Sequence, residues 1–230
     1  MRALVISCLL IVTCFYSTVG QNEQIQISKP GVWHEWQVKI NPVLTWYGLF
    51  QKGDQFRLNR VSILITDVHD PDVDGPDERT GKLIGVVGSK KPILLVAGDL
   101  NLKEGPIEGQ SHGYQLMAPQ RSIWFYFGDE QYEINSFGRS SGPNDDIEET
   151  YEDYGIRLIG PHGEQVILDE HYFYGSGPGL VWTGDLDRDG QVDLLVDCIC
   201  EDRSTNLALF LSSKAEAGDL VKMAAIWRDE

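Results

Sequence analysis

Short runs in which apolar and polar residues alternate recur along the whole chain, separated by Gly, Pro, Asn or Asp. A period of two is the signature of a strand with one buried face. It predicts strands over His34–Ile40, Val43–Gln51, Phe56–Thr66, Lys82–Val87 and Pro92–Ala97. It predicts others over Ser122–Phe127, Gln131–Asn135, Gly155–Ile159, Gln165–Leu168, Gly179–Thr183, Val192–Cys200, Leu207–Leu211 and Leu220–Trp227. Most are rich in the β-branched and aromatic residues that suit a pleated surface. No window carries an apolar stripe of helical period with caps; Lys214–Ala225 could hold a short helix, interrupted by Gly218. The expected fold is all-β: a β-sandwich, or two small packed β-subdomains.

The first residues depart from this pattern. Met1-Arg2 precede an apolar stretch, Ala3 to Tyr16, which ends in the small residues Ser17-Thr18-Val19-Gly20. This reads as a signal peptide over residues 1–20, cut after Gly20, and it implies a secreted or periplasmic protein. The stretch is shorter than the ~20 residues a membrane-spanning helix needs, and no later segment is long and apolar enough to cross a membrane. Cys14, in Ile11-Val12-Thr13-Cys14, leaves a lipoprotein anchor as the alternative, with Thr13 ill-suited to that motif. About 210 residues remain in 21–230, enough for a single domain with one sizeable core.

The formal charge is −16, and removing Arg2 with the leader would make it −17. Such a surface repels nucleic acid and anionic lipid and attracts cations. Cys8 and Cys14 leave with the leader. Cys198 and Cys200 stand two apart in one predicted strand, where a bridge would be strained and a role as small apolar core residues is expected. Disulfides therefore do not staple this fold.

The densest chemistry is Asp185-Leu186-Asp187-Arg188-Asp189-Gly190-Gln191-Val192-Asp193. Counting from Asp185, acids occupy positions one, three, five and nine. Gly190 stands where the chain must turn sharply, and Gln191 would offer its backbone carbonyl. Two unit charges ~5 Å apart repel by ~0.8 kcal/mol in water and ~3 kcal/mol at an effective dielectric of ~20. Four such groups make sense chiefly as a loop around a hard cation, with Ca²⁺ the one expected for oxygen donors of this kind; the alternative is an Asp-rich solvated turn with no ion. The loop is not an EF-hand: position twelve is Val196 instead of a bidentate Glu, and an apolar strand-like run follows instead of a helix.

From Trp182 to Val196 the chain resembles the calcium loop of FG-GAP/VCBS-type repeats, in which G-D-x-D-x-D-G-x-x-D-hydrophobic joins two strands of a hairpin. The likeness implies side-chain ligands Asp185, Asp187, Asp189 and Asp193, a carbonyl ligand from Gln191, and a hairpin over about 180–212. It covers about 15 residues. There is no internal repeat of fixed period, so a multi-bladed propeller is not implied. The rest of the chain is similar to secreted bacterial proteins of unassigned role.

Other features compete for a function. The acidic stretch Asp67 to Glu78 contains Gly75 and could form a second, looser cation site, although Pro71 and Pro76 break the loop spacing and suggest a solvated loop. Asn144 to Asp153 reads as a flexible solvated segment. Gly109-Gln110-Ser111-His112-Gly113 satisfies G-x-S-x-G, but without the strand-to-helix context that makes such a serine a nucleophile. None of the five histidines has a metal-ligand spacing. Three aromatic clusters stand out: Trp33, Trp36, Trp46 and Tyr47; Trp124 to Phe127; Tyr172 to Tyr174. They either fill the core or present rings outward for a glycan. The sequence thus points to a non-enzymatic calcium-binding β-protein with a structural or interaction role. A carbohydrate-binding module with structural calcium is the alternative, a hydrolase the second alternative, and a glycan or extracellular protein the partner either binding reading would need.

Overall fold

The computed structural model describes residues 24–88, 91–144, 147–174, 177–199 and 205–228. The expectations for residues 1–20, for Cys200 and for the side chains of Cys198 and His171 lie outside the described residues. In chain order the strands are β1 (Gln26–Ser28), β2 (Gly31–Trp33), β3 (Trp46–Lys52), β4 (Gln55–Val61), β5 (Ile63–Val68), β6 (Gly81–Val86), β7 (Leu94–Ala97), β8 (Gly105–Ile107) and β9 (Gly109–Leu116). They continue with β10 (Ser122–Phe127), β11 (Glu130–Asn144), β12 (Ile147–Gly160), β13 (Gly163–Tyr174), β14 (Gly179–Gly184), β15 (Asp193–Ile199), β16 (Thr205–Leu211) and β17 (Lys222–Arg228). Two 3-10 turns, Glu35–Gln37 and Ser212–Lys214, are the only helical elements among the described residues. No helix among them is long and apolar enough to cross a membrane.

The strands form four antiparallel sheets: β1-β7-β3-β4-β8, β2-β6-β5, β17-β16-β15-β14-β9 and β10-β11-β12-β13. Alternation along β15 shows how they stack. Leu194 and Val196 point into a core shared with Ile123, Phe125, Ile134, Ile156 and Leu158 of the β10–β13 sheet. Leu195, with Leu207 and Leu209 of β16, points the other way, onto Leu49, Leu58, Leu94 and Val96 of the β1 sheet. Leu95 and Ala97 of β7 point on again, to Trp46 and to Ile84 of the small β2-β6-β5 sheet. The protein is therefore all-β and sandwich-like, as the alternation implies, with three cores between successive sheets. The β15 and β7 sheets are covered on both faces, which is why Leu194-Leu195-Val196 and Leu94-Leu95-Val96-Ala97 are continuous apolar runs.

Four expectations are corrected. Residues 34–40 do not form a strand. The His34 N–H donates to Gln37 Oε1 at 2.7 Å and closes a 3-10 turn instead. The run 56–66 is broken at Ser62 between β4 and β5, which belong to different sheets. The helix entertained over 214–225 is absent: Gly218 at φ +100° reverses the chain into β17. The acidic segment 144–153 is no loose loop, because its described residues extend the β11–β12 hairpin. Tyr151 and Tyr154, buried and stacked 5.5 Å apart, hold it, and the Tyr154 hydroxyl donates to the Met117 carbonyl at 2.5 Å.

Candidate metal centre

The Asp185 to Val192 segment joins β14 to β15, the middle strand of the central sheet, and the two strands close against each other at Gly184 and Asp193. Gly184 is required there: a Cβ would lie 2.3 Å from the Glu108 carbonyl and 2.4 Å from the Trp182 ring. Arg188 at φ +65° and Gly190 at φ +84° curl the loop back on itself. The curl directs the N–H groups of Asp189 and Gly190 to the Asp185 carboxylate, at 3.1 and 3.0 Å. Leu186 is sunk into the core on one side of the sheet and Val192 into the core on the other. With both apolar residues anchored, the acids between them turn towards one another.

Ligand oxygens of Asp185, Asp187 and Asp193 lie within 4.8 Å of one another. Oxygens bound to one Ca²⁺ at ~2.4 Å can be at most ~4.8 Å apart, so the three carboxylates are near enough to share one ion. Asp193 is 0% exposed and Asp187 6%. Asp193 Oδ2 accepts from the Leu186 N–H at 2.7 Å, and Oδ1 from the Ser212 N–H at 2.9 Å. The Ser213 hydroxyl donates to Asp187 Oδ2. Asp187 Oδ1 is buried with no hydrogen-bond partner among the described residues. The buried Asp197 also has a bare oxygen, but its other one carries the Lys29 ammonium at 2.7 Å. Asp187 has no such cation among the described residues.

The electrostatics agree with the geometry. Burial, reinforced by repulsion from Asp187, pushes the Asp193 carboxyl well above its ordinary value despite the bonds from Ser212 and Leu186. Burial also raises Asp185, with Asp189 adding repulsion against the loop N–H groups. No ion pair among the described residues reaches these acids. The one cation within the loop, Arg188, is turned away and donates to the carbonyls of Lys103 and Glu104 at 3.2 and 3.3 Å.

Asp189 and Gln191, expected as ligands, form the exposed rim. The Gln191 N–H donates to Asp189 Oδ1 at 2.8 Å. The Ser212 hydroxyl lies 2.9 Å from Asp189 Oδ2 and 3.0 Å from Asp193 Oδ1, and its single proton serves one of them at a time. Ser212 and Ser213 were not evident as site residues. They follow the β16 run as an ordinary Ser-Ser turn, 19 to 26 residues from their partners.

A second cluster brings His34, Asp70 and Asp72 within the same range. Here both oxygens of the buried Asp70 are engaged. Asp70 Oδ2 meets His34 Nδ1, and Oδ1 accepts from the Asp72 N–H at 3.1 Å. Asp74 accepts from the N–H groups of Asp70 and Thr80, both at 2.8 Å, and from the Thr80 hydroxyl at 2.5 Å. Burial works against ionisation of Asp74, yet these bonds outweigh it and draw the carboxyl down to about 2. His69 Nδ1 lies 3.2 Å from the Glu78 carbonyl, closing the loop.

The G-x-S-x-G serine sits within strand β9, antiparallel to β14, with Ser111 opposite Trp182. Its neighbour His112 faces the opposite way, with Nε2 3.0 Å from Thr183 Oγ1, and burial lowers its pKa to about 4. No nucleophile–base pair forms at Ser111 among the described residues. Of the aromatics, Trp46, Trp182 and Trp227 are buried. Trp124 and Tyr126 are exposed.

No family model, curated protein or solved structure matches this chain.

Proposed function

We propose that this chain is an exported, non-enzymatic β-protein in which the Asp185–Asp193 loop takes up Ca²⁺ and so locks the β14–β15 hairpin at the centre of the stack. Asp187 carries the reading: a buried carboxylate with one bare oxygen, facing two further carboxylates whose ionisation burial opposes. Each like-charge pair at ~5 Å costs ~3 kcal/mol at an effective dielectric of ~20, and a divalent ion converts these repulsions into attractions. All the donors are hard oxygens, and the unequal, partly hydrogen-bonded set suits the adaptable shell of Ca²⁺ better than the strict octahedron of Mg²⁺. The resemblance to FG-GAP/VCBS loops supports the reading, since both place the acids between two hairpin strands. The Met1 to Gly20 pattern supports export to a compartment with ~1 mM Ca²⁺.

Thermal melting in calcium and in EDTA tests the proposal. With Kd ~10 µM and ~1 mM free ion, the gain is ~2.7 kcal/mol, or about 5–10 °C for a domain of this size. Asp187→Asn should melt at the same temperature in both solutions. No rise in the unsubstituted protein, or an equal rise in the variant, contradicts the reading.

A further inference from the structure

The outer face of the β10-β11-β12-β13 sheet carries a feature that the ion does not explain. Strand β10 lies at the edge of this sheet and alternates strictly: Ile123 and Phe125 are buried against the central sheet, whereas Trp124 is 57% and Tyr126 64% exposed. Two large rings therefore share one face, about 7 Å apart along the strand. The register sets a polar side chain beside each of them. Glu133 pairs with Trp124, Gln131 with Tyr126, and Asn135 with Ser122. These polar groups are already held in place: the Ser122 hydroxyl donates to Glu133 Oε1 at 2.6 Å, and Asn135 Nδ2 donates to Ser122 Oγ at 3.0 Å. One strand further in, Arg157 pairs with Asn135.

We propose that this face is a stacking platform for a neutral glycan. A pyranose ring has a C–H face that is apolar and a rim of hydroxyl groups that both donate and accept. The C–H face matches an exposed indole or phenol ring, and the rim matches carboxylate, carboxamide and guanidinium groups lying beside it. Charge narrows the choice of occupant. Nucleic acid bases also stack on aromatic rings, but the face carries Glu133 and Glu164, its Arg157 lies 3.7 Å from Glu164, and the chain as a whole is at −16. The same charge disfavours acidic polysaccharides and anionic membranes. An uncharged ligand rich in hydroxyl groups meets none of these penalties. The platform lies on the face away from the central sheet, so this proposal stands whether or not the loop binds Ca²⁺.

The test is native electrophoresis of the full chain through gels containing hydroxyethylcellulose, galactomannan, soluble starch or heparin, with tryptophan fluorescence titrations alongside. The expected result is retardation by at least one neutral polymer, none by heparin, and a fluorescence change on titration. Trp124→Ala and Tyr126→Ala should each weaken binding by about tenfold or more, with melting temperatures unchanged because both rings are exposed. Asp187→Asn should bind the glycan as the unsubstituted protein does. Retardation by none of the neutral polymers, a preference for heparin, or binding that survives both aromatic substitutions would overturn the proposal. So would concentration-dependent self-association abolished by Trp124→Ala, because it would assign the face to a second copy of the chain.

Discussion

In the loop from Asp67 to Thr80 the inward-turned carboxylates of Asp70 and Asp74 have found proton donors nearby, whereas in the loop from Asp185 to Asp193 one buried oxygen has found none among the described residues. Both segments alternate acids with other residues around a glycine; the second brings three carboxylates within 4.8 Å of one another, and the first brings two within the same distance of His34. They differ in where the protons come from. Thr80, His34 and the backbone of Asp70 and Asp72 supply the first loop, and the Asp74 carboxyl falls to about 2. In the second, Leu186 and Val192 are drawn into two cores, Asp187 and Asp193 are buried with them, and the carboxyls of Asp185 and Asp193 are pushed upward. Clustered acids do not by themselves identify a cation site. What differs between the two loops is the supply of proton donors to their inward-turned carboxylates, and on that difference rests the proposal that only the second takes up an ion.

Substitution in the first loop should give the larger effect on a protein free of calcium. Asp70→Ala removes the acceptor for His34 and for the Asp72 N–H, and should cost about 1–3 kcal/mol by denaturant unfolding, equally in calcium and in EDTA. A cost that appears only in calcium would make this loop a cation site and erase the contrast.

Acid gives a smaller effect and sharpens it. Asp74 has its folded pKa lowered from 3.8 to about 2, so its contribution is complete above pH 3.8 and is lost as pH falls towards 2. In EDTA, Asp74→Asn should flatten the decline of melting temperature across that window. An unchanged decline would mean that the Thr80 and backbone bonds do not favour the ionised form in solution.

Much of this could be read from residue order alone. The alternation in Ser122–Phe127 is that of a strand with one wet face, and β10 has one. The acids and glycine of 185–193 marked the loop, and its setting between two strands follows from the apolar run after Asp193. The stacking of the four sheets was harder to see, although Leu94-Leu95-Val96-Ala97 carries its signal: a run with no polar face needs a cover on both sides. The turn at 35–37 was missed because Trp33 and Trp36 look like strand residues, while the deciding contact is a single bond from the His34 N–H to the Gln37 side chain. Residues 144–153 were misjudged because their acids outnumber Tyr151, which stacks in the core on Tyr154 just beyond the segment. Ser212 and Ser213 could not be assigned, since a serine after a strand is common and only the folded chain brings it beside Asp189, Asp193 and Asp187.

Isothermal titration of calcium into metal-free protein, beside the Asp187→Asn variant, bears most directly on the buried acids of the central hairpin. The account predicts saturable heat with one Ca²⁺ per chain, much weaker heat with Mg²⁺, and none in the variant. Absence of heat at millimolar calcium, or the same isotherm from both proteins, would contradict it.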